Sequence, residues 1–218
     1  MKRGASRGRG ERGIALIVTM MAALVLTAVA GALVPLSTIE TAIGVNHRRA
    51  VEGLYAAEAA LALVTAELGA VPDWSAALDG SFRSTLRGAT LVPATPDGGS
   101  IDLPAIGRRL RNGGAGASGA GRGLLWTLLA HGPLTAAAPM PDGYGPWLVG
   151  VWIADDPGDP DSDPWRDANG AIMVHAAAFG PRRAERAVQA TLIRRVLPAA
   201  PPTPALVRVR IASWRIVR

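Results

Sequence analysis

Asp155, Asp156, Asp159, Asp161, Asp163 and Asp167, joined by Asn169, crowd one short segment of this 218-residue chain. Clustered carboxylates suit hard cations, and Ca²⁺ takes about six to eight oxygen ligands. The spacing Asp159-x-Asp161-x-Asp163 opens as an EF-hand loop does. It does not continue as one: Pro164 stands where the sharp-turn glycine belongs, and Gly170 where the bidentate glutamate belongs. Two readings stay open. In one, Asp155, Asp156, Asp159, Asp161 and Asp163 hold Ca²⁺; in the other, Asp and Pro build a solvated turn, as these residues ordinarily do.

No other cluster suggests chemistry. His47, His131 and His175 are isolated, there is no cysteine, and no H-E-x-x-H, G-x-S-x-G or P-loop pattern occurs. Gly114-Ala-Gly-Ala-Ser-Gly119 matches G-x-G-x-x-G, yet no convincing strand precedes it and no acidic partner lies about 20 residues on. The acidic segment could imitate a hydrolase site, but lacks a glutamate or histidine at recognisable spacing. The expectation is a protein that is not an enzyme, with no cofactor apart from the Ca²⁺ reading. The net charge of +6 does not argue for nucleic acid, because the arginines and lysines fall in separate groups at the N-terminus, around 108–122 and near the C-terminus.

The class follows from the N-terminal elements. Residues 13–39 carry no charge and residues 14–34 are strongly apolar, and about 20 apolar residues suffice to cross a bilayer core as a helix. Lys2, Arg3, Arg7, Arg9 and Arg12 precede the run, with Glu11 the one acidic residue among them. Such a bias holds the short N-terminus in the cytoplasm and sends the remainder outward. The apolar stretch is too long for a secretory signal, whose apolar region runs to about 7–15 residues.

A second helix pattern follows, with Leu54, Leu61, Val64 and Leu68 at helical spacing in an alanine-rich background and Glu52, Glu58 and Glu67 mostly off that face. Helical from 14 to 68, this rod would measure about 80 Å at 1.5 Å per residue. Strand patterns then appear at 147–153, 171–179, 187–194 and 206–217. Val207, Val209 and Ile211 alternate with Arg208 and Arg210, as in a half-buried edge strand. The expected architecture is α+β, a long N-terminal helix packed on a small antiparallel head sheet. Its divisions are a basic leader (1–13), a transmembrane helix (14–39), an amphipathic stalk (40–70), an irregular head region (71–145, with a Gly-rich loop at 108–123) and a β-sheet head (146–218).

The boundary Arg12-Gly13-Ile14-Ala15-Leu16-Ile17-Val18 resembles the site cut by prepilin peptidases, and Ala56-Ala-Glu-Ala-Ala-Leu61, Pro72-Asp73-Trp74 and Ser213-Trp214-Arg215 are similar to PilX-type minor pilins. The resemblance implies a pilin-like fold, a cut between Gly13 and Ile14, and N-methylation of Ile14. It implies a subunit of a type IV pilus or a secretion-type pseudopilus, whose partners are the peptidase, the membrane and other pilin subunits. It places the precursor in the cytoplasmic membrane, head outside, before transfer to a surface pilus or periplasmic pseudopilus. Pro35, twenty-second after that cut, stands where pilins commonly carry a proline, and its missing backbone donor loosens a helix. Val18, fifth after the cut, departs from the family's glutamate and points to a low-copy or tip subunit, since tip pseudopilins also lack it. Some pseudopilins hold Ca²⁺ in a head loop. A single-pass anchored binding or sensor domain that never polymerises fits the same anchor and stays open as the alternative.

Overall fold

The computed structural model describes residues 8–95, 97–113, 123–137, 144–197 and 206–217, and the chain divides into two units, Met1–Arg48 and Arg49–Arg218. The first consists of the leading part of helix α1 (Gly8–Gly69). Its stretch Gly13–Ala32 has a mean hydropathy of 2.4 and buries none of its side chains. Two hydroxyls in this stretch are turned back onto the helix: Thr19 Oγ1 donates to the Leu16 carbonyl at 2.9 Å and Thr27 Oγ1 to the Ala23 carbonyl at 2.8 Å. A polar group in hydrocarbon has no water to pair with, so such back-bonding suits a helix surrounded by lipid.

The second unit contains the end of α1, the short helices α2 (Ser75–Leu78) and α3 (Leu103–Arg111), and one antiparallel sheet. Its strands are β1 (Thr127–Pro133), β2 (Leu148–Asp155), β3 (Ala171–Gly180), β4 (Ala184–Leu197) and β5 (Leu206–Val217), and they pair in chain order. The α+β architecture expected from the sequence is present: Ala56, Ala57, Ala60, Leu61, Val64 and Leu68 of α1 are buried in one cluster with Val149, Val151, Ile153, Val174, Val188 and Leu192 of the sheet. Small alanines let the helix approach the pleated surface closely, while Leu61, Val64 and Leu68 supply apolar area, each worth about 1.5–3 kcal/mol when fully buried.

The head is more ordered than its sequence suggests. Where the sequence reads an irregular region, the described residues of 71–145 include α2, α3 and the edge strand β1. The sheet accordingly has five strands where the sequence patterns show four. Arg108, Arg109 and Arg111 form the last turn of α3 and not a glycine-rich loop, a location that complements the negative end of the helix dipole. Residues 114–122, with the G-x-G-x-x-G string, lie outside the described residues. Asp102 caps α3, its carboxylate accepting from the Ala105 N–H at 2.8 Å, and Pro104 occupies the first turn.

Helix α3 gives the sheet a second cover. Leu103, Ile106 and Leu110 pack with Trp126, Trp152, Met173, Ala177, Phe179 and Ala187 on the face away from α1. Strands β2 and β3 are therefore buried on both faces and read as nearly continuous apolar runs, without the clean alternation of a one-sided sheet.

Candidate functional site

Two regions carry the residues singled out by the sequence. In the first unit, Gly13 and Ile14 lie inside α1, and a β-carbon added at Gly13 would meet no atom within 4 Å. Helical backbone therefore already spans the position of the expected cut. Ile14, Leu16, Ile17, Val18, Met20 and Met21 are all more than half exposed, Val18 at 58%. Within the described residues the apolar span runs over Gly13–Ala32, and Pro35 falls within α1 beyond it, its side chain outside the described residues.

The second region is the acidic connection between β2 and β3. Asp155 ends β2, opposite Ile172 of β3, so the sheet fixes its backbone. Its side chain is 7% exposed, and Oδ1 is buried without a hydrogen-bond partner. Burial, reinforced by the charge of Asp159, pushes its carboxyl up to about 7. Desolvation disfavours the ionised form, and each neighbouring carboxylate adds to that cost.

Asp159, 8% exposed, has the opposite balance. Burial works to raise its pKa, but the N–H groups of Ala168, Asp161 and Asn169 all donate to its carboxylate and hold it below the usual range. Asp161 Oδ1 accepts from the Asp163 N–H, and Asp161 Oδ2 lies 3.8 Å from Arg166 Nε.

The five-aspartate set does not act as one group. Carboxylate oxygens of Asp155, Asp159 and Asp161 all lie within 4.8 Å of one another. Asp156 is committed to the Gly158 N–H and Asn169 Nδ2, and Asp163 to the Trp165 N–H. Those two shape the loop, as the solvated-turn reading expects of Asp residues.

A third buried carboxylate, Asp167, docks the loop on the head. Its Oδ1 accepts from the Gly170 and Ala171 N–H groups, and its Oδ2 lies 3.7 Å from Arg194 Nη2. Burial raises its pKa against the pull of those donors and of Arg194. The Arg194 guanidinium in turn lies over the Trp74 ring, 5.5 Å from its centroid, and donates to the Pro72 carbonyl. Ser75 Oγ also accepts from the Asp167 N–H at 3.2 Å. One arginine thus ties the acidic loop to the chain just past α1. Neither its partner nor its place could be read from spacing, because Arg194 lies far along the chain from both Pro72 and Asp167.

His175 is buried on β3 and is no part of this group. It packs against Trp126 and Trp152, with ring centroids 6.0 and 5.9 Å away. Burial and then the Arg215 charge lower its pKa to about 4, so it is a neutral core residue at physiological pH.

Three comparisons with known proteins found no counterpart, for no protein-family model, no curated protein and no solved structure matches the chain.

Proposed function

We propose that this chain is the precursor of a minor, tip-type subunit of a type IV pilus or secretion-type pseudopilus. A prepilin peptidase cuts it between Gly13 and Ile14, Ile14 is methylated, and the apolar part of α1 holds the subunit in the cytoplasmic membrane until it passes into a filament. The reading rests on the contrast within α1. Residues 13–32 bury nothing, whereas Ala56 to Leu68 are packed into the head core. A surface so apolar requires lipid or other apolar helices around it. In a filament the second environment replaces the first, and close packing supplies the attraction, since lipid and leucine are equally apolar.

Val18 fits a tip position, where no subunit lies above to offer an amine. The same residue favours the alternative of an anchored binding domain that never polymerises, which needs no carboxylate at all. Fractionation separates the two. Mechanical shearing of intact cells, or isolation of pseudopili, recovers the chain with the filaments on the first reading. On the second it stays wholly in the membrane fraction.

A further inference from the structure

Arg215 of β5 is a partly buried cation that the head holds in place without neutralising it. Its Nη2 donates to Gln189 Oε1 on β4. Among the described residues no carboxylate pairs with it, for Asp102, Asp161 and Asp167 face other arginines. Gln189 is 3% exposed and serves Arg215 while its own Nε2 stays without an acceptor. His175, opposite Gln189 on β3, does not relieve it, since His175 Nδ1 is unpaired as well. A buried donor without a partner costs free energy, and nothing inside the head offsets that cost. A local rule broken without internal gain points to a partner outside. The guanidinium borders a cleft of about 190 Å³ that it shares with Met173, Gln189, Thr191 and Ser213. Ser213 Oγ donates to Thr191 Oγ1 at 2.9 Å, which leaves the Thr191 O–H to donate in turn.

We infer that this cleft receives the carboxylate of an Asp or Glu side chain carried by an acidic, extended segment of another protein. A guanidinium presents its N–H donors in a planar fork that matches a carboxylate, and Gln189 fixes the orientation of that fork. The volume sets the size of the ligand: small-molecule sites run to about 300–1,000 Å³, so the cleft admits the end of a side chain and not a metabolite. The surroundings supply the rest of the charge. Arg195 and Arg208 stand opposite each other on β4 and β5, and Arg210 stands opposite Ile193, on the face that carries Gln189 and Arg215. Like charges directly opposite destabilise a sheet, and such an uncompensated basic ladder attracts an acidic partner. Arg208 and Arg210 are two residues apart on their strand, a rise of about 7 Å, which is the spacing at which an extended chain repeats side chains on one face. Strand β5 is the last in the sheet, with β4 as its neighbour, and an outer strand accepts another laid beside it. A nucleic acid also meets arginines, but its phosphates are flanked by sugars on both sides, whereas a terminal carboxylate enters a narrow cleft end-on. The inference does not depend on the filament reading, since an anchored monomer would use the same cleft.

The test is calorimetric titration of the full-length chain in detergent at low ionic strength. Four probes are used: a blocked peptide of alternating glutamate and threonine, the same peptide with glutamine for glutamate, sodium acetate, and oligothymidylate. The glutamate peptide is expected to bind at one site, and the glutamine peptide about tenfold more weakly or worse, as the loss of a charged partner implies. Arg215→Gln should lower the affinity for the glutamate peptide by about tenfold or more. Arg83→Gln should leave it unchanged, because Arg83 is exposed and close in sequence to Arg87, which pairs with His131 of β1 at the other side of the sheet. Absence of binding by the glutamate peptide overturns the site. So does equal binding of the two peptides, an unchanged affinity in Arg215→Gln, or equal weakening by both arginine variants. Acetate binding as tightly as the peptide reveals a site for free carboxylates, and oligothymidylate binding more tightly than the peptide reveals a nucleic-acid face; either result overturns the protein partner. Should Arg215→Gln fail to fold, Thr191→Val, which keeps the shape of the side chain, must weaken the glutamate peptide by about threefold or more, and an unchanged affinity counts against the site.

Discussion

The ring of Trp147 fills the space where Gly53 of α1 would carry a side chain. A β-carbon added at Gly53 would lie 2.7 Å from Trp147 Cη2 and 2.9 Å from Cζ3, and one added at Gly180 would lie 2.5 Å from Cζ3. Trp147 is itself buried, so the ring has nowhere to retreat. A glycine in the middle of a helix costs up to about 1 kcal/mol relative to alanine, and here that cost is the condition for seating the indole between helix and sheet. Gly53→Ala should therefore destabilise the head in spite of its better helix propensity. Overpacking costs about 1–3 kcal/mol, and a net loss of about 1 kcal/mol would lower the melting temperature by roughly 2–4 °C. A melt of the variant in detergent checks this, and a raised melting temperature contradicts it.

Arg194→Met retains much of the apolar stem while removing the charge beside buried Asp167 and the cation over Trp74. Leaving one member of a buried pair uncompensated costs roughly 3 kcal/mol. The double variant Arg194→Met with Asp167→Asn should recover a good part of that loss. Equilibrium unfolding of the parent chain, the two single variants and the double variant measures it, and strictly additive effects would show that the pair is not coupled.

Two buried groups contribute to the acid response of the head with opposite signs. His175 is held at about 4 in the folded chain, against about 6.5 unfolded. Its contribution is complete above pH 6.5 and is lost as pH falls toward 4, up to roughly 3 kcal/mol. Asp155, pushed up to about 7, works the other way without cation: the folded state takes up its proton first, so stability rises as pH falls from 7 toward 3.8. In chelator, Asp155→Asn should steepen the loss of stability between pH 6.5 and 4. His175→Gln should reduce or reverse that loss. Melting temperatures across the range test both signs.

Replacing Gly13 with leucine should leave the head unaffected, since Gly13 belongs to the unit Met1–Arg48 and the space around its missing β-carbon is open. On the proposed function it should abolish processing and trap the precursor in the membrane. An unchanged mature mass for the variant, detected by immunoprecipitation, contradicts that assignment of the cut.

The parts of this protein legible in its sequence are those where one physical term dominates. The apolar part of α1 shows because nothing offsets the apolarity of residues 13–32. The packed end of α1 shows because Leu61, Val64 and Leu68 recur on one face. Strand β1 and helix α3 were obscured for different reasons. Thr127–Pro133 includes Gly132 and Pro133, residues common in loops yet tolerated on an edge strand. The start of α3 carries a legible cap in Asp102 and Pro104, but its arginines and the glycines beyond read as a basic loop. In the acidic segment, composition marks the carboxylate cluster without distinguishing among its members. Only the strand register buries Asp155, and only the fold of the loop turns Asp156 and Asp163 onto backbone N–H groups.

The mass of the mature N-terminal peptide tests the central claim most directly, compared between native cells and cells lacking the prepilin peptidase. The account predicts a peptide beginning at N-methylated Ile14 in the first and a chain retaining residues 1–13 in the second. An uncut chain in both strains, or a cut beyond Ala30 that does not depend on the peptidase, would contradict it.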